Sequence, residues 1–426
     1  MSKIAFITLG CKANQFETQA MELLCREAGF DVVSSDDFSD IYIVNSCAVT
    51  SNAGKKSRQE MRAARKRNPD ALVATCGCYS QLAAKELLEA GDADLVGDNK
   101  DHRAFLKAVF EKAVGKTVFS DFSGFEALPA GNLDGRTRAL LKIEDGCDNF
   151  CAYCIIPYLR GRVRSVEEDF AVSEARRLSE EGFSEIVLTG IEIASYGKDL
   201  PGHPTLDTLI AAIAAAVPGT RLRLGSLEPR IVTDAFCENL AAYSNLCPHF
   251  HLSLQSGSDG VLKRMGRKYD TALFREVCHR LRKYFPDCAI TTDIICGFPG
   301  ETQEEFEETM AFCRDIRFDK VHVFPYSIRT GTRAARMKDQ IPRTEKESRA
   351  RTLLALCSSI SGEILSEKVG NVYQVLFETE ENGFFTGYTE NYHPFRMKGD
   401  NLSGKILKVR VDGVDGDHLF GSPESV

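Results

Sequence analysis

Cys147, Cys151 and Cys154 form a C-x3-C-x2-C run within EDGCDNFCAYCIIPYLRGR. Three thiolates on one short loop can hold a metal centre. A structural zinc site wants four closed ligands, usually as two separated pairs, and no second Cys or His pair at metal spacing stands nearby. On a 4Fe-4S cluster, three thiolates leave one iron without a protein ligand, open to chelation by a substrate. The spacing therefore favours an iron-sulfur cluster.

A second group is spread along the chain: Cys11 follows IAFITLG, Cys47 follows IYIVNS, and Cys78 ends ALVATCGC. All three fall just beyond the carboxyl ends of expected parallel strands, where open α/β sheets bind ligands. Cys76 lies two residues before Cys78, and in an extended segment the two share a face, so spacing does not choose between them. Cys25, Cys237, Cys278, Cys288, Cys296, Cys313 and Cys357 lie inside helical or strand patterns and read as buried small apolar residues; Cys247, beside Pro248, is uninformative.

The elements that must position these groups fall into three parts. Residues 1–113 alternate short apolar runs with amphipathic segments, which predicts a doubly wound parallel sheet. Residues 114–135, rich in Gly, Ser and Asp, read as a linker. Residues 136–361 give six βα units, with strands ALLKIEDG, EIVLTGI, RLRLGSL, HFHLSLQ, AITTDIICGF and KVHVFPYS. Six units predict a partial (β/α)6 barrel of the TIM type. Residues 362–426 carry three strand-like runs with turns at Glu381-Asn382-Gly383, Asn401 to Gly404 and Asp412-Gly413, which predicts a small antiparallel β-barrel.

Thr189, Gly190, Ser226, Glu228, Gln255, Asp293 and Phe324 each lie near the C-terminal end of a predicted strand of the central part. Barrels of this type build their sites at that end.

The chain has 426 residues, 43% hydrophobic and 27% charged, with a formal net charge of −8 and 15 cysteines. Fifteen thiols without a secretory leader suit metal binding in a reducing compartment, so a cytoplasmic location is expected. No run approaches the roughly 18 apolar residues of a membrane span. The acidic total disfavours coating nucleic acid all over, but local patches decide what a phosphate backbone feels. Residues 55–67 hold Lys55, Lys56, Arg58, Arg62, Arg65, Lys66 and Arg67 against Glu60 alone. Arg160, Arg162 and Arg164 follow the cysteine loop. Arg396, Lys398, Lys405, Lys408 and Arg410 stand among Phe384, Phe385, Tyr388, Tyr392 and Phe395. These groups are the expected RNA contacts.

The triplet with Tyr153 before its third cysteine resembles the signature of the radical S-adenosylmethionine superfamily. That resemblance implies a cofactor chelated at the open iron and cleaved by one electron to give a 5′-deoxyadenosyl radical, with Tyr153, Thr189, Gly190, Ser226, Glu228, Gln255, Asp293 and Phe324 as its contacts. The whole chain resembles the methylthiotransferases, whose order is a cluster domain, a radical domain and a C-terminal TRAM domain. Their third auxiliary ligand is the cysteine of a GCY-x-Q segment, here Gly77 to Gln81, which implies Cys11, Cys47 and Cys78 as ligands of a second 4Fe-4S cluster and Cys76 as an extra thiol.

Within that family LGCKANQFETQ (Leu9 to Gln19) is similar to the enzymes that methylthiolate N6-threonylcarbamoyladenosine next to the anticodon. Isopentenyladenosine in tRNA is the alternative substrate, and a zinc-stabilised RNA-binding protein without catalysis is the alternative class. The resemblance further implies tRNA, a sulfur donor and a low-potential electron donor of flavodoxin or ferredoxin type as partners. Glu192-Ile193-Ala194, Gly225 and Ser253 depart from the usual family residues, which bears on individual cofactor contacts.

Overall fold

The structure is a computed structural model that describes residues 2–48, 51–114, 126–131 and 137–424. The N-terminal part is a five-stranded parallel sheet of β1 (Lys3–Thr8), β2 (Asp31–Val33), β3 (Ile41–Ser46), β4 (Leu72–Gly77) and β5 (Leu95–Val96), in the order β2-β1-β3-β4-β5. β3 is buried throughout, as expected of an apolar run at the centre of a parallel sheet. Helices α1 (Lys12–Glu27) and α2 (Ser51–Arg67) follow β1 and β3.

The central part opens with β6 (Arg138–Lys142), β7 (Glu144–Asp145) and β8 (Arg164–Ser165), then β9 (Glu185–Thr189), β10 (Arg221–Leu224), β11 (Ser226–Leu227), β12 (His249–Gln255), β13 (Ala289–Cys296) and β14 (Lys320–Pro325). β10-β9-β6 form one parallel sheet and β11-β12-β13-β14 another, with the break at Gly225 between β10 and β11. Together they make the six-unit partial barrel. The predicted crossover helices are present as Glu168–Glu180, Leu206–Ala216, Asp234–Ala241, Thr271–Tyr284 and Gln303–Ile316. The last begins with a capping box between Thr302 and Glu305.

Sequence reading did not anticipate the 25-residue helix Arg343–Glu367, which runs past the expected boundary at residue 361. Its apolar residues do not concentrate on one face, so periodicity gives little signal. Beyond it, β15 (Val372–Glu381), β16 (Phe384–Thr389), β17 (Pro394–Met397), β18 (Ile406–Asp415) and β19 (His418–Pro423) close a barrel in the order β15-β16-β17-β19-β18. All its pairings are antiparallel except β17 with β19. The expected turn at Asp412-Gly413 is instead a register shift inside β18; the extra residue bends the strand without ending it.

One apolar cluster runs from Ile4 and Phe16 through Leu128 and Ala130 to Leu140 and Phe250, so the first two parts share a core. Most of the expected linker lies outside the described residues. Glu126 to Gly131 pack into that core: Ala130 N–H donates to Glu174 Oε1 at 2.6 Å. The small barrel docks at the amino ends of the central strands. There Arg138 bonds Glu378 at 2.8 Å, and His393 Nε2 lies 2.9 Å from Asp319 Oδ1.

Candidate metal centres and the cavity between them

Cys147, Cys151 and Cys154 lie on the loop that leaves β7 and enters the short helix Ile156–Arg160. Two backbone bonds of 2.8 Å, Ala152 N–H to Met265 O and Ala334 N–H to Ala152 O, fix the loop against the barrel. Asn149 N–H donates to Cys147 Sγ at 3.4 Å and Arg267 Nη1 to Cys151 Sγ at 3.3 Å. Burial pushes the Cys147 and Cys154 thiols up to about 12. Protein groups alone therefore leave them neutral, and a cationic iron centre would supply the missing countercharge. This donor set fits a cluster.

Adjacent parallel strands bring the first trio together. Thr8 pairs with Asn45, and Ser46 with Gly77, so the chain leaves β1, β3 and β4 side by side. A Cβ on Gly10 would stand 3.0 Å from Cys47 Cβ. A Cβ on Gly77 would stand 2.3 Å from Ser46 O, and Gly77 has φ +93°. Only glycine fits that contact and that backbone conformation. Asn14 braces the edge: Nδ2 donates to Asn45 Oδ1 at 2.8 Å, and Oδ1 lies 3.2 Å from Cys11 Sγ.

The turn at Gly77 also separates Cys76 from Cys78, which the expectation of a shared face had joined. Cys76 packs into the large core, whereas Cys78 begins the helix Cys78–Leu82 and packs with Ala48, Ile155 and Leu159. Cys78 lies within electrostatic range of both Cys11 and Cys154, so the two trios face each other.

Between them lies a cavity of ≈ 280 Å³, lined by Ala48 from the first part and by Tyr153, Cys154, Gln255, Asp293, Phe324 and Arg329, among others, from the second. Thr189, Gly190, Ser226 and Glu228 do not line it. Glu228 is buried against Arg230 at 2.7 Å and lies within range of Glu192. Burial, together with Glu228 and against the pull of Arg267, pushes the Glu192 carboxyl up to about 7. Glu192 also accepts from Asn149 Nδ2 at 3.3 Å, which places it on the Cys147 side of the loop.

Sequence reading missed Arg267, whose only signal is its place one residue after the left-handed Gly266 that ends Asp259–Met265. It likewise missed His251 and His322. An imidazole at an inward position of a parallel strand, where an apolar residue is the rule, was the available signal. His251, Asp293 and His322 bring their polar atoms within 4.8 Å of one another inside the half-barrel. Thr291 Oγ1 lies 3.0 Å from His251 Nδ1 and 3.1 Å from His249 Nε2. His249 in turn stacks on Tyr392 at 4.8 Å. Below them, at the strand amino ends, a cavity of ≈ 560 Å³ is lined by Lys12, Arg138, Arg223, Tyr388 and Tyr392, among others.

The expected RNA contacts divide. Arg160 is fully buried, bonded to Glu17 at 2.6 Å and Asp145 at 3.1 Å, and cannot reach a phosphate; this expectation is corrected. Arg164 also pairs with Asp145 at 3.2 Å. On α2, Arg58 bonds Tyr79 and Glu86, Arg62 bonds Asp92, and Arg65 bonds Asp94, each at 2.7 Å. Lys55 and Lys56 remain exposed. Arg162 is exposed over Phe150, with Tyr158 beside it. On the small barrel, Phe385 and Phe395 are core. Tyr388 and Tyr392 stack against each other and under Arg138. Phe384 carries Arg396, itself paired with Asp415, and Lys398 over its ring. Lys398 and Lys405 are exposed.

The pattern of the radical SAM superfamily matches residues 141–313, and that of uncharacterized protein family UPF0004 matches residues 3–97. The chain is 39% identical over 424 residues to the threonylcarbamoyladenosine tRNA methylthiotransferase MtaB of Bacillus subtilis (strain 168), covering 96% of this chain and 94% of the relative. It is 36% identical to the tRNA-2-methylthio-N(6)-dimethylallyladenosine synthase of the same organism, covering 95% and 82%. In fold it is similar to the radical S-adenosylmethionine methyltransferase TsrM of Kitasatospora setae, with a TM-score of 0.57, 14% identity, and coverage of 79% and 74%.

Proposed function

We propose, from the premise that this chain belongs to the radical S-adenosylmethionine methylthiotransferases, that it converts N6-threonylcarbamoyladenosine beside the anticodon of tRNA to its 2-methylthio derivative. The observation that carries this substrate is the interior beneath the cavity between the cysteine trios. It is polar, with Lys12 beside Arg138 paired to Glu378 and Arg223 paired to Glu185, and imidazoles above, whereas an isopentenyl group would be matched by apolar walls. Leu9 to Gln19 and the name of the 39% identical relative agree with it.

In this reading Cys147, Cys151 and Cys154 hold the radical cluster, and Cys11, Cys47 and Cys78 hold an auxiliary 4Fe-4S cluster. Residues 1–113 form the auxiliary-cluster domain, 136–361 the radical domain and 362–426 a TRAM domain that grips RNA. When bound, the radical cluster and S-adenosylmethionine supply a carbon radical able to take hydrogen from C2 of adenine, a position with no acidic proton for acid/base catalysis. Tyr153, Gln255, Asp293 and Phe324 orient the adenosyl group and the target base in the cavity. Thr189, Gly190, Ser226 and Glu228, with Glu192, would hold the methionine part of the cofactor. Ile155 and Leu159, packed around Cys78, make that wall of the space between the trios apolar.

Lys55, Lys56, Arg162, Lys398 and Lys405 meet phosphates. A flavodoxin or ferredoxin type protein supplies electrons and a separate donor supplies sulfur. No helix among the described residues is long and apolar enough to cross a membrane. Mass spectrometry of tRNA nucleosides from cells lacking the gene tests the substrate. Loss of 2-methylthio-N6-threonylcarbamoyladenosine is expected; loss of the isopentenyl product in its place would assign the other substrate.

A further inference from the structure

Lys12 immediately follows Cys11, and its side chain is exposed to the lower cavity. Of the other charges around that space, Glu381 stands exposed at the rim, and Arg138, Arg223 and His251 are paired. Arg138 bonds Glu378 at 2.8 Å, Arg223 bonds Glu185 at 2.7 Å, and His251 Nε2 stands 3.3 Å from Asp293 Oδ2. Lys12 has no salt bridge and no hydrogen bond among the described residues. Arg138 and Arg223 repel it, and Glu185, which attracts it, already bonds Arg221 and Arg223, so the ammonium has no carboxylate bonded to it.

Above it, His322 is solvent-accessible and within electrostatic range of Lys12. Asp293, which lines the upper cavity, stands against His251 and His322, so His322 lies within reach of both the upper cavity and Lys12. Adenine carries its N6 substituent on C6, with N1 between it and C2, and the two exocyclic bonds diverge. A base with C2 held at the cysteine trios therefore leaves that substituent free to extend into the half-barrel that Lys12 borders.

We propose that Lys12 and His322 are specificity-determining residues that bind the carboxylate of the N6 substituent, Lys12 by charge and His322 by hydrogen bonding. This rests on the threonylcarbamoyl reading of the substrate. A carboxylate fits where an alkyl group does not, because an unanswered ammonium favours the anion and an isopentenyl chain would leave it unpaired.

The test compares two anticodon stem-loops bound to the iron-loaded protein under anaerobic conditions, by fluorescence anisotropy. One carries N6-threonylcarbamoyladenosine and the other the same nucleoside with its carboxylate converted to a carboxamide. The wild type is expected to prefer the acid by about tenfold or more, the size of one charge-assisted contact. Lys12→Met should bring the ratio near one while binding the amide as the wild type does, and Lys12→Arg should retain a preference. His322→Leu, remote in sequence from every cluster cysteine, should lower the ratio too.

An unchanged ratio in both Lys12→Met and His322→Leu overturns the proposal. An equal loss for acid and amide also overturns it, since it would mean that Lys12 meets a backbone phosphate. Methylthiolation of isopentenyladenosine by the wild type, with none of the threonylcarbamoyl stem-loop, would instead overturn the substrate reading beneath it.

Discussion

Glu17 of α1 and Arg160 beside the cysteine loop meet at 2.6 Å with both side chains fully buried. Lys142 of β6 bonds the same Glu17 at 2.8 Å, and Asp145 closes the group, bonding Lys142 at 2.8 Å and Arg160 at 3.1 Å. The cluster ties the helix that starts at the first trio to the loop that carries the second. Opposite charges packed this closely hold the Glu17 and Asp145 carboxyls below their usual range despite burial. Its consequence is geometric, since the facing of two metal centres depends on how two sheets dock.

Glu17→Gln leaves Arg160 and Lys142 buried with one carboxylate between them. Removing one partner of a buried pair costs about 3–5 kcal/mol. Urea denaturation of the variant should show a loss of that size, and a loss within about 0.5 kcal/mol, typical of a surface change, would contradict the assignment.

His102 sits behind this group, with Nδ1 2.8 Å from Glu126 and Nε2 3.7 Å from Glu17. Burial opposes its charge, but the two carboxylates prevail and raise it to about 9. The unfolded side chain titrates near 6.5. A raised folded value means that the protonated form stabilises the fold fully below pH about 6.5, and that this contribution is lost as pH rises through about 9. Thermal stability of the wild type should therefore fall between pH 7 and 9 more steeply than that of His102→Gln. Parallel profiles would contradict the charge assignment.

Gly77→Ala places a methyl group 2.3 Å from Ser46 O at a backbone angle that disfavours side chains. The change should displace Cys78, while the Cys147 loop keeps its own backbone anchors to Met265 and Ala334. Iron content after reconstitution is expected to drop from about eight to about four per chain. A variant that keeps all its iron would show that this turn does not position a ligand.

Much of the architecture was readable from periodicity, because apolar runs of strand length alternate with amphipathic helices through residue 325. The long helix Arg343–Glu367 was not, since its apolar residues cover no single face. β17 and β19 were missed because four-residue PFRM and glycine-interrupted HLFGSP are too short and irregular for an alternation signal. Cys147, Cys151 and Cys154 were visible as spacing and Cys11 and Cys47 as strand-end positions, while Cys78 rather than Cys76 followed only from the family resemblance, because the turn at Gly77 that parts them leaves no mark in the spacing. Arg267 and the inward histidines were not, because their roles arise from contacts between strands far apart in sequence. Arg160 misled for a related reason: an arginine in a basic stretch looks solvated until Glu17, 143 residues away, is found against it.

The central claim is that six cysteines form two separate iron centres facing one cavity. Iron analysis with Mössbauer spectroscopy of two triple variants, Cys11→Ala/Cys47→Ala/Cys78→Ala and Cys147→Ala/Cys151→Ala/Cys154→Ala, tests it directly. Each should retain one 4Fe-4S cluster and about four irons, against about eight for the wild type. Zinc in place of iron in the wild type, or a first variant that still holds about eight irons, would contradict the account.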